Sequence, residues 1–277
     1  MTYSIVARDP GSGELAVAVA SCVLAVGRAV PYALCGVGAV ATQSQTRRGY
    51  GPRGLARLAT GQRPDVTLTE LLGADTDPSV RQVAMLAADG TVAVHTGVDC
   101  LAVAGHLTGD GWAVQGNMLA NAEVLPAMAN AMTMNAPTGP GSAKLAERLL
   151  AALQAGERAG GDLRGRQSAA LLVVSANRGA EPWDEISLDL RVDDSRDPLS
   201  ELNRLLLLQR AYENSDSATL ALLGPAGPRD VYAMMEAARR GDLRSARTAF
   251  AQLRQRPGWE EWLRGGQFTH LAALLED

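Results

Sequence analysis

Along the first forty or so residues, apolar positions come in short runs broken by turn residues. Tyr3 to Arg8 is one run, Asp9-Pro10-Gly11-Ser12-Gly13 is a turn cluster, and Leu15 to Ala20 is the next run. Ala29 to Leu34 and Gly36 to Thr42 follow and meet at Cys35-Gly36. Runs of this length bounded by Gly, Pro and Asp read as strands joined in hairpins. They are apolar on both faces, which predicts a sheet covered on both sides. The polar, Gly-rich stretch from Gln43 to Pro52 comes straight off the fourth strand and suits either a ligand-facing loop or a solvated connection. Pro52 then opens a helix over Arg53 to Leu58, and a second runs from Asp65 to Leu72 with Asp65 or Thr67 as its cap.

A second block of strands is predicted at Arg81–Ala87, Val92–Thr96, Cys100–His106 and Trp112–Gln115, with Asp89-Gly90 as a hairpin turn. Helical spacing covers Leu119–Met134, and a long helix runs from a Ser142 cap to Ala159, after a loop at Asn135–Gly141. Strands at Ala169–Ser175 and Ile186–Val192 precede a helix from Asp197 to about Glu213. The order strands, helices, strands, helices suits helical layers around two stacked sheets. From about Asn214 no strand pattern remains. Asp230–Arg239, Leu243–Arg254 and a last segment with Trp259, Trp262 and Leu271–Leu275 read as a helical appendix. The predicted domains are therefore 1–213 and 214–277.

Composition narrows the function. Aromatics are only 4% of 277 residues, so Ala, Val and Leu must fill the core. The balance of 26 basic against 30 acidic residues leaves no basic stripe for nucleic acid. Cys22, Cys35 and Cys100 are too scattered for a disulfide framework or a metal cluster, and His95, His106 and His270 lack metal-ligand spacing. No metal or other cofactor is expected. No apolar run reaches a membrane-spanning length and no signal-peptide pattern opens the chain, so a cytoplasmic location is expected.

The chemistry that stands out is at the start. Thr2 follows the initiator Met, and a small side chain there permits Met1 removal. A free Thr2 would hold its hydroxyl beside its own α-amine, whose ordinary pKa of about 8 leaves part of it neutral near pH 7. A threonine hydroxyl activated by an N-terminal amine is an established nucleophile. The bland alternative is a chain that merely begins Met-Thr and continues into an edge strand.

Several blocks resemble the DUF1028 family, a family of unknown function. They are Thr2 to Pro10 with Gly13 to Ser21, Gly36 to Gln43, Gln115 to Leu119, and Gly160 to Leu172. The resemblance spans roughly residues 2–212; the tail is similar to a variable extension of some members. It implies an α+β fold like that of the N-terminal nucleophile hydrolases, a four-layer αββα sandwich of two antiparallel sheets. It also implies an amidohydrolase using Thr2. Ser4, on the same strand face as Thr2 by the two-residue period, is expected to orient the amine or relay a proton. Asn117, at a Gly-Asn corner, is expected to offer oxyanion donors from its amide and from exposed N–H groups, the alternative being a plain turn residue. Ser21 is expected to line the same sheet end, with Gln43, Gln167 and Ser168 adding neutral polar groups. Arg164 and Arg166 form a candidate fork for a substrate carboxylate. The only lysine, Lys144, opens a predicted helix, so no lysine is placed to tune the amine. The expected partner is a small amide, of anionic character if that fork is used, and a homo-oligomer is compatible with the apolar sheet. The alternative is a non-catalytic ligand-binding protein on the same fold.

Overall fold

The computed structural model describes residues 2–135, 144–179 and 185–265. The Ser142 cap, His270 and the Leu271–Leu275 stretch lie outside the described residues. Two compact units, Met1–Leu202 and Asn203–Asp277, divide the chain.

Among the described residues the first unit holds ten strands in two antiparallel sheets. They are β1 (Thr2–Arg8), β2 (Leu15–Ser21), β3 (Pro31–Leu34), β4 (Gly38–Ser44), β5 (Arg81–Ala87), β6 (Val92–Thr96), β7 (Gly105–Gly109), β8 (Trp112–Asn117), β9 (Ser168–Val174) and β10 (Ile186–Val192). One sheet runs β10-β9-β2-β1-β8-β7 and the other β3-β4-β5-β6. Between them lies an aliphatic core built from alternate residues, among them Val6, Leu15, Val17, Ala39, Ala84 and Leu86. Helices α1 (Tyr50–Leu58) and α2 (Pro64–Gly73) cover the outer face of the four-stranded sheet, where Leu55, Leu58 and Leu68 meet Val40, Val83 and Met85. Helices α3 (Val124–Met134) and α4 (Leu145–Arg158) pack on the six-stranded sheet, against β7, β8, β1, β2 and β9. The result is the αββα sandwich that the strand-helix order predicts, and every strand of it except the outermost is buried on both faces for that reason.

The differences from the sequence reading are local. The strand expected at Cys100–His106 begins only at Gly105, because residues 97–104 are spent crossing from one sheet to the other. Helix α3 starts at Val124, since Leu119 pairs with Asp162 and Asn121 Oδ1 accepts the Glu123 N–H. The position before α2 is Arg63, with Pro64 in the first turn, so neither Asp65 nor Thr67 caps it.

The second unit is helical. It contains most of α5 (Pro198–Glu213), then α6 (Ser217–Leu223), α7 (Ala226–Arg239), α8 (Leu243–Arg254) and α9 (Trp259–Arg264). Asp216 and Asp242 cap α6 and α8 through the Thr219 and Ser245 N–H groups. Helix α6, hidden in a stretch punctuated by Ser, Pro and Gly, was not expected. Val231, Met234, Ala246, Phe250 and Leu253 form the core of this unit. Among the described residues no helix is long and apolar enough to cross a membrane.

Candidate functional site

Strand β1 is central, flanked by β2 and β8, so its first residue is fixed on both sides. Thr2 pairs with Asn117 of β8, and the β1–β2 register, in which Tyr3 meets Ala20, brings Ser21 alongside. Ser21 in turn pairs with Ser168 of β9. The period of two then turns Ser168, Ser21, Thr2 and Asn117 toward the space between the sheets as one polar row across four strands. Thr2 Oγ1 lies 3.1 Å from Ser21 Oγ, and Thr2 is 5% exposed.

Beneath this row the core is polar instead of aliphatic. Ser4 Oγ donates to Gln43 Oε1 at 2.7 Å, and Gln43 Nε2 donates to Gln82 Oε1 at 2.8 Å and to the Thr2 carbonyl at 3.2 Å. Gln115 Nε2 donates to Ser4 Oγ and to the Ala41 carbonyl. Gln82 also accepts the Asn117 amide at 2.9 Å and reaches Thr96 Oγ1 and the Gly105 and Gly116 carbonyls through Nε2. Ser4, Gln43, Gln82 and Gln115 are fully buried. Burying so many amides is tolerable only because they satisfy one another. Gln115 Oε1 is the exception, a buried acceptor without a protein partner.

The start of β1 is closed by a carboxylate. Ser21 accepts the Gln167 N–H on the β9 side, so the next N–H, that of Cys22, faces the β1 side. It donates to Asp162 Oδ2 at 2.8 Å, while Asp162 Oδ1 accepts the Arg164 N–H at 2.9 Å. Asp162 is 4% exposed and its backbone pairs with Leu119, two residues past Asn117. A buried anion thus sits where a continuation of β1 would meet β2. On the other face of β1, the Tyr3 phenol donates to Glu157 of α4. Burial first, then the Glu157 charge, pushes that phenol well above its ordinary pKa, so it stays a donor.

The structure brings together Thr2, Ser21, Asn117 and Ser168 but gives several of the expected residues other duties. Ser4 touches Gln43 and Gln115; the hydroxyl beside Thr2 Oγ1 belongs to Ser21. Gln43 is buried against the Thr2 carbonyl and does not face solvent. Ser168 Oγ donates to the Val23 carbonyl and accepts the Val26 N–H, stitching down the turn after β2. Gln167 turns to Asp194 at 3.1 Å. The candidate fork is engaged: Arg164 pairs with Asp162 at 3.3 Å and Arg166 with Glu157 at 2.5 Å. Nor are the N–H groups after Asn117 exposed, because Leu101 and Val103 carbonyls accept those of Met118 and Leu119. The left-handed residue of that corner is Met118, with φ 48°, so Asn117 is not there for its tolerance of that conformation.

Gln82, Gln115 and Asp162 escaped the sequence reading. A signal existed for the first two, since a glutamine inside an otherwise aliphatic strand is an anomaly of patterning. Asp162 stood in a Gly-rich loop where an acidic residue is unremarkable. A second carboxylate, Asp75, lies at the same end of the other sheet. Burial raises its pKa, but Arg81, the Asp77 N–H, Tyr50 and Arg47 outweigh that and hold it well below the carboxylate range. It pins the 45–49 loop. Among the described residues no group of His, Cys, Asp and Glu has the arrangement of a metal site.

Comparison with known proteins places the chain. Residues 2–202 match the model of DUF1028, a family of unknown function. A DUF1028 protein of Silicibacter pomeroyi, SPO2555, is similar in structure with a TM-score of 0.65 and 31% identity, over 76% of this chain and 85% of that one. Anbu, the ancestral β-subunit of Yersinia bercovieri, aligns over 79% of this chain and 96% of its own at a TM-score of 0.36 and 9% identity, a likeness too slight to bear on function. No curated protein matches the chain.

Proposed function

This chain belongs to the DUF1028 family, and from that premise we propose that it is an N-terminal nucleophile amidohydrolase in which Thr2, freed by removal of Met1, cleaves a small amide. One observation carries the reading. The Thr2 hydroxyl is nearly buried on a central strand, beside Ser21 and Asn117, with an anion closing the strand's start. Residues at a chain start are poorly ordered unless a sheet ties them down; here β2 and β8 flank Thr2, and Asp162 takes the next N–H of the β2 side.

Thr2 Oγ1 attacks the substrate carbonyl and its proton passes to the neutral α-amine, directly or through the Ser21 hydroxyl. The charge developing on the carbonyl oxygen is met by the Asn117 N–H not spent on Gln82. The C–N bond breaks, the leaving amine takes the proton back from the ammonium, and the acyl group stays on Thr2 as an ester. Water then attacks the ester, the amine receives its proton and returns it to Oγ1. Asp162 positions the amine by facing its ammonium form; a carboxylate there raises the amine's pKa, the opposite of a lysine's effect, and the chain's only lysine, exposed at the start of α4, is not placed to offset it. The chemistry requires no cofactor, and its partner is the amide substrate.

Two measurements test this. The intact mass of the native protein should be short by one methionine, and Thr2→Ala should abolish amide turnover. Retention of Met1 in active material, or an active Thr2→Ala protein, would remove Thr2 from the reaction. In that case the site is a binding pocket on the same fold.

A further inference from the structure

The two ends of the sandwich carry different surfaces. At the end away from Thr2, the turns at 9–14, 88–91 and 110–111 present Asp9, Glu14, Asp89 and Asp110, with Ile186 exposed at 44% beside them at the start of β10. At the Thr2 end the large aliphatic side chains are exposed: Leu24 at 66%, Val98 at 91%, Leu101 at 63% and Leu163 at 63%, with Val103 beside them in sequence at 39%.

These residues are chained to the candidate nucleophile. Leu24 lies in the turn that continues from Ser21, whose hydroxyl touches Thr2 Oγ1, and Ser168 Oγ clamps that turn through the Val23 carbonyl. The carbonyls of Leu101 and Val103 accept the two N–H groups that follow Asn117, at 2.8 and 2.9 Å. The Leu163 N–H donates to the Met118 carbonyl at 3.3 Å. Three separate segments therefore set apolar side chains on the backbone that flanks Thr2 and Asn117. Of the nearby cations, Arg164 and Arg166 are paired with Asp162 and Glu157. Exposed aliphatic surface is ordinary when scattered and informative when gathered.

We propose that this rim receives the acyl group of the substrate, so that the amide cleaved is that of an aliphatic carboxylic acid and not of an anionic one. The inference rests on Thr2 as nucleophile, because the rim surrounds the carbonyl only if the carbonyl is presented there. An acyl group, unlike the leaving amine, stays through both half-reactions, so its contacts serve attack and deacylation alike.

The test uses the full chain with Met1 removal verified by mass. Anilides of acetic, butyric, hexanoic and octanoic acids are compared with the anilide of succinic acid. We expect kcat/KM to rise about fourfold per methylene buried, with the succinyl compound the poorest. Leu24→Ser and Leu101→Ser should each reduce the octanoyl-to-acetyl ratio at least tenfold. A flat series, or preference for succinyl, overturns the proposal. So does a change of oligomeric state in the two serine variants with the chain-length ratio intact, which would make the rim a contact between copies. Binding of the same anilides to Thr2→Ala protein, measured by calorimetry, separates the two layers of argument. Chain-length-dependent binding there, with no turnover by the wild type, keeps the rim and discards the nucleophile. Length-independent binding discards the rim whatever Thr2 does.

Discussion

The layer between the two sheets has two halves made by the same strands. Toward the turn end, the inward positions of β1, β2, β5 and β9 are Val6, Leu15, Val17, Leu86 and Val174. Toward the other end the inward positions of β1, β4, β5 and β8 are Ser4, Gln43, Gln82 and Gln115. Strand pairing and period do not change between the halves; the chemistry does. The aliphatic half needs no orientation of its groups, since burial of each Val or Leu stabilises by roughly 1.5–3 kcal/mol in any close packing. The polar half gives little net stabilisation, as each internal hydrogen bond contributes only about 1 kcal/mol while each unpaired amide costs about 1–3 kcal/mol. What it supplies is direction. Gln43 fixes the Thr2 carbonyl and Gln82 fixes the Asn117 amide, so the row above is held at defined angles.

The strongest challenge to this contrast is at Thr2 itself. Thr2→Ala should lower amide turnover by about 10³-fold or more, as removal of a nucleophile does. Its melting temperature should move by only a few degrees, because one buried hydroxyl and one methyl group are lost; calorimetry alongside a turnover assay reads both. Next comes a pair of substitutions, one in each half. Gln82→Leu should cost roughly 3–5 kcal/mol by leaving the Asn117 and Gln43 amides and the Gly105 and Gly116 carbonyls without it. It should also depress kcat in the folded protein. Leu86→Ala should cost about 2–4 kcal/mol through its cavity and leave kcat per folded molecule unchanged. Urea unfolding with parallel kinetics checks the pair, and equal effects on kcat would erase the distinction between the halves.

A smaller effect is expected at Asp162. A carboxylate facing an ammonium favours the charged form, so Asp162→Asn should lower the amine's pKa by about one unit. The acid limb of kcat/KM should then move to lower pH; an unmoved limb would show that Asp162 faces something else. The smallest concerns Asp75, whose pKa is depressed in the fold. Such a group stabilises above the ordinary carboxylate value of about 4 and loses that contribution as pH falls toward its folded value. Wild type should melt about 5 °C above Asp75→Asn at pH 6, and the gap should close toward pH 2.

The architecture was legible in the sequence because strands covered on both faces read as continuous apolar runs, and the turn residues around Asp9, Cys35-Gly36 and Asp89-Gly90 marked the hairpins. Thr2 and Asn117 were legible as positions, through their motifs and strand ends. Their environment was not. Whether Arg164 and Arg166 are available depends on Asp162 and Glu157, and neither pairing follows from strand or helix periodicity. The hydroxyl beside Thr2 turned out to be that of Ser21 because a neighbour across the sheet lies closer at a strand end than the next residue on the same face. The crossing at 97–104 read as a strand because Cys100 to Ala104 are apolar, and the same apolarity is what leaves Leu101 and Val103 exposed on the rim.

The position of β1 has a practical corollary for anyone preparing this protein. Thr2 begins a strand in the middle of a six-stranded sheet, hemmed by β2, β8 and the Asp162 carboxylate. An affinity tag fused ahead of it would have to leave through that enclosure. For chemistry that runs through Thr2, the tag would also convert the amine into a peptide nitrogen. Activity screens on amino-terminally tagged libraries would then report such a protein as inert, and a carboxy-terminal tag is the form in which it should be assayed.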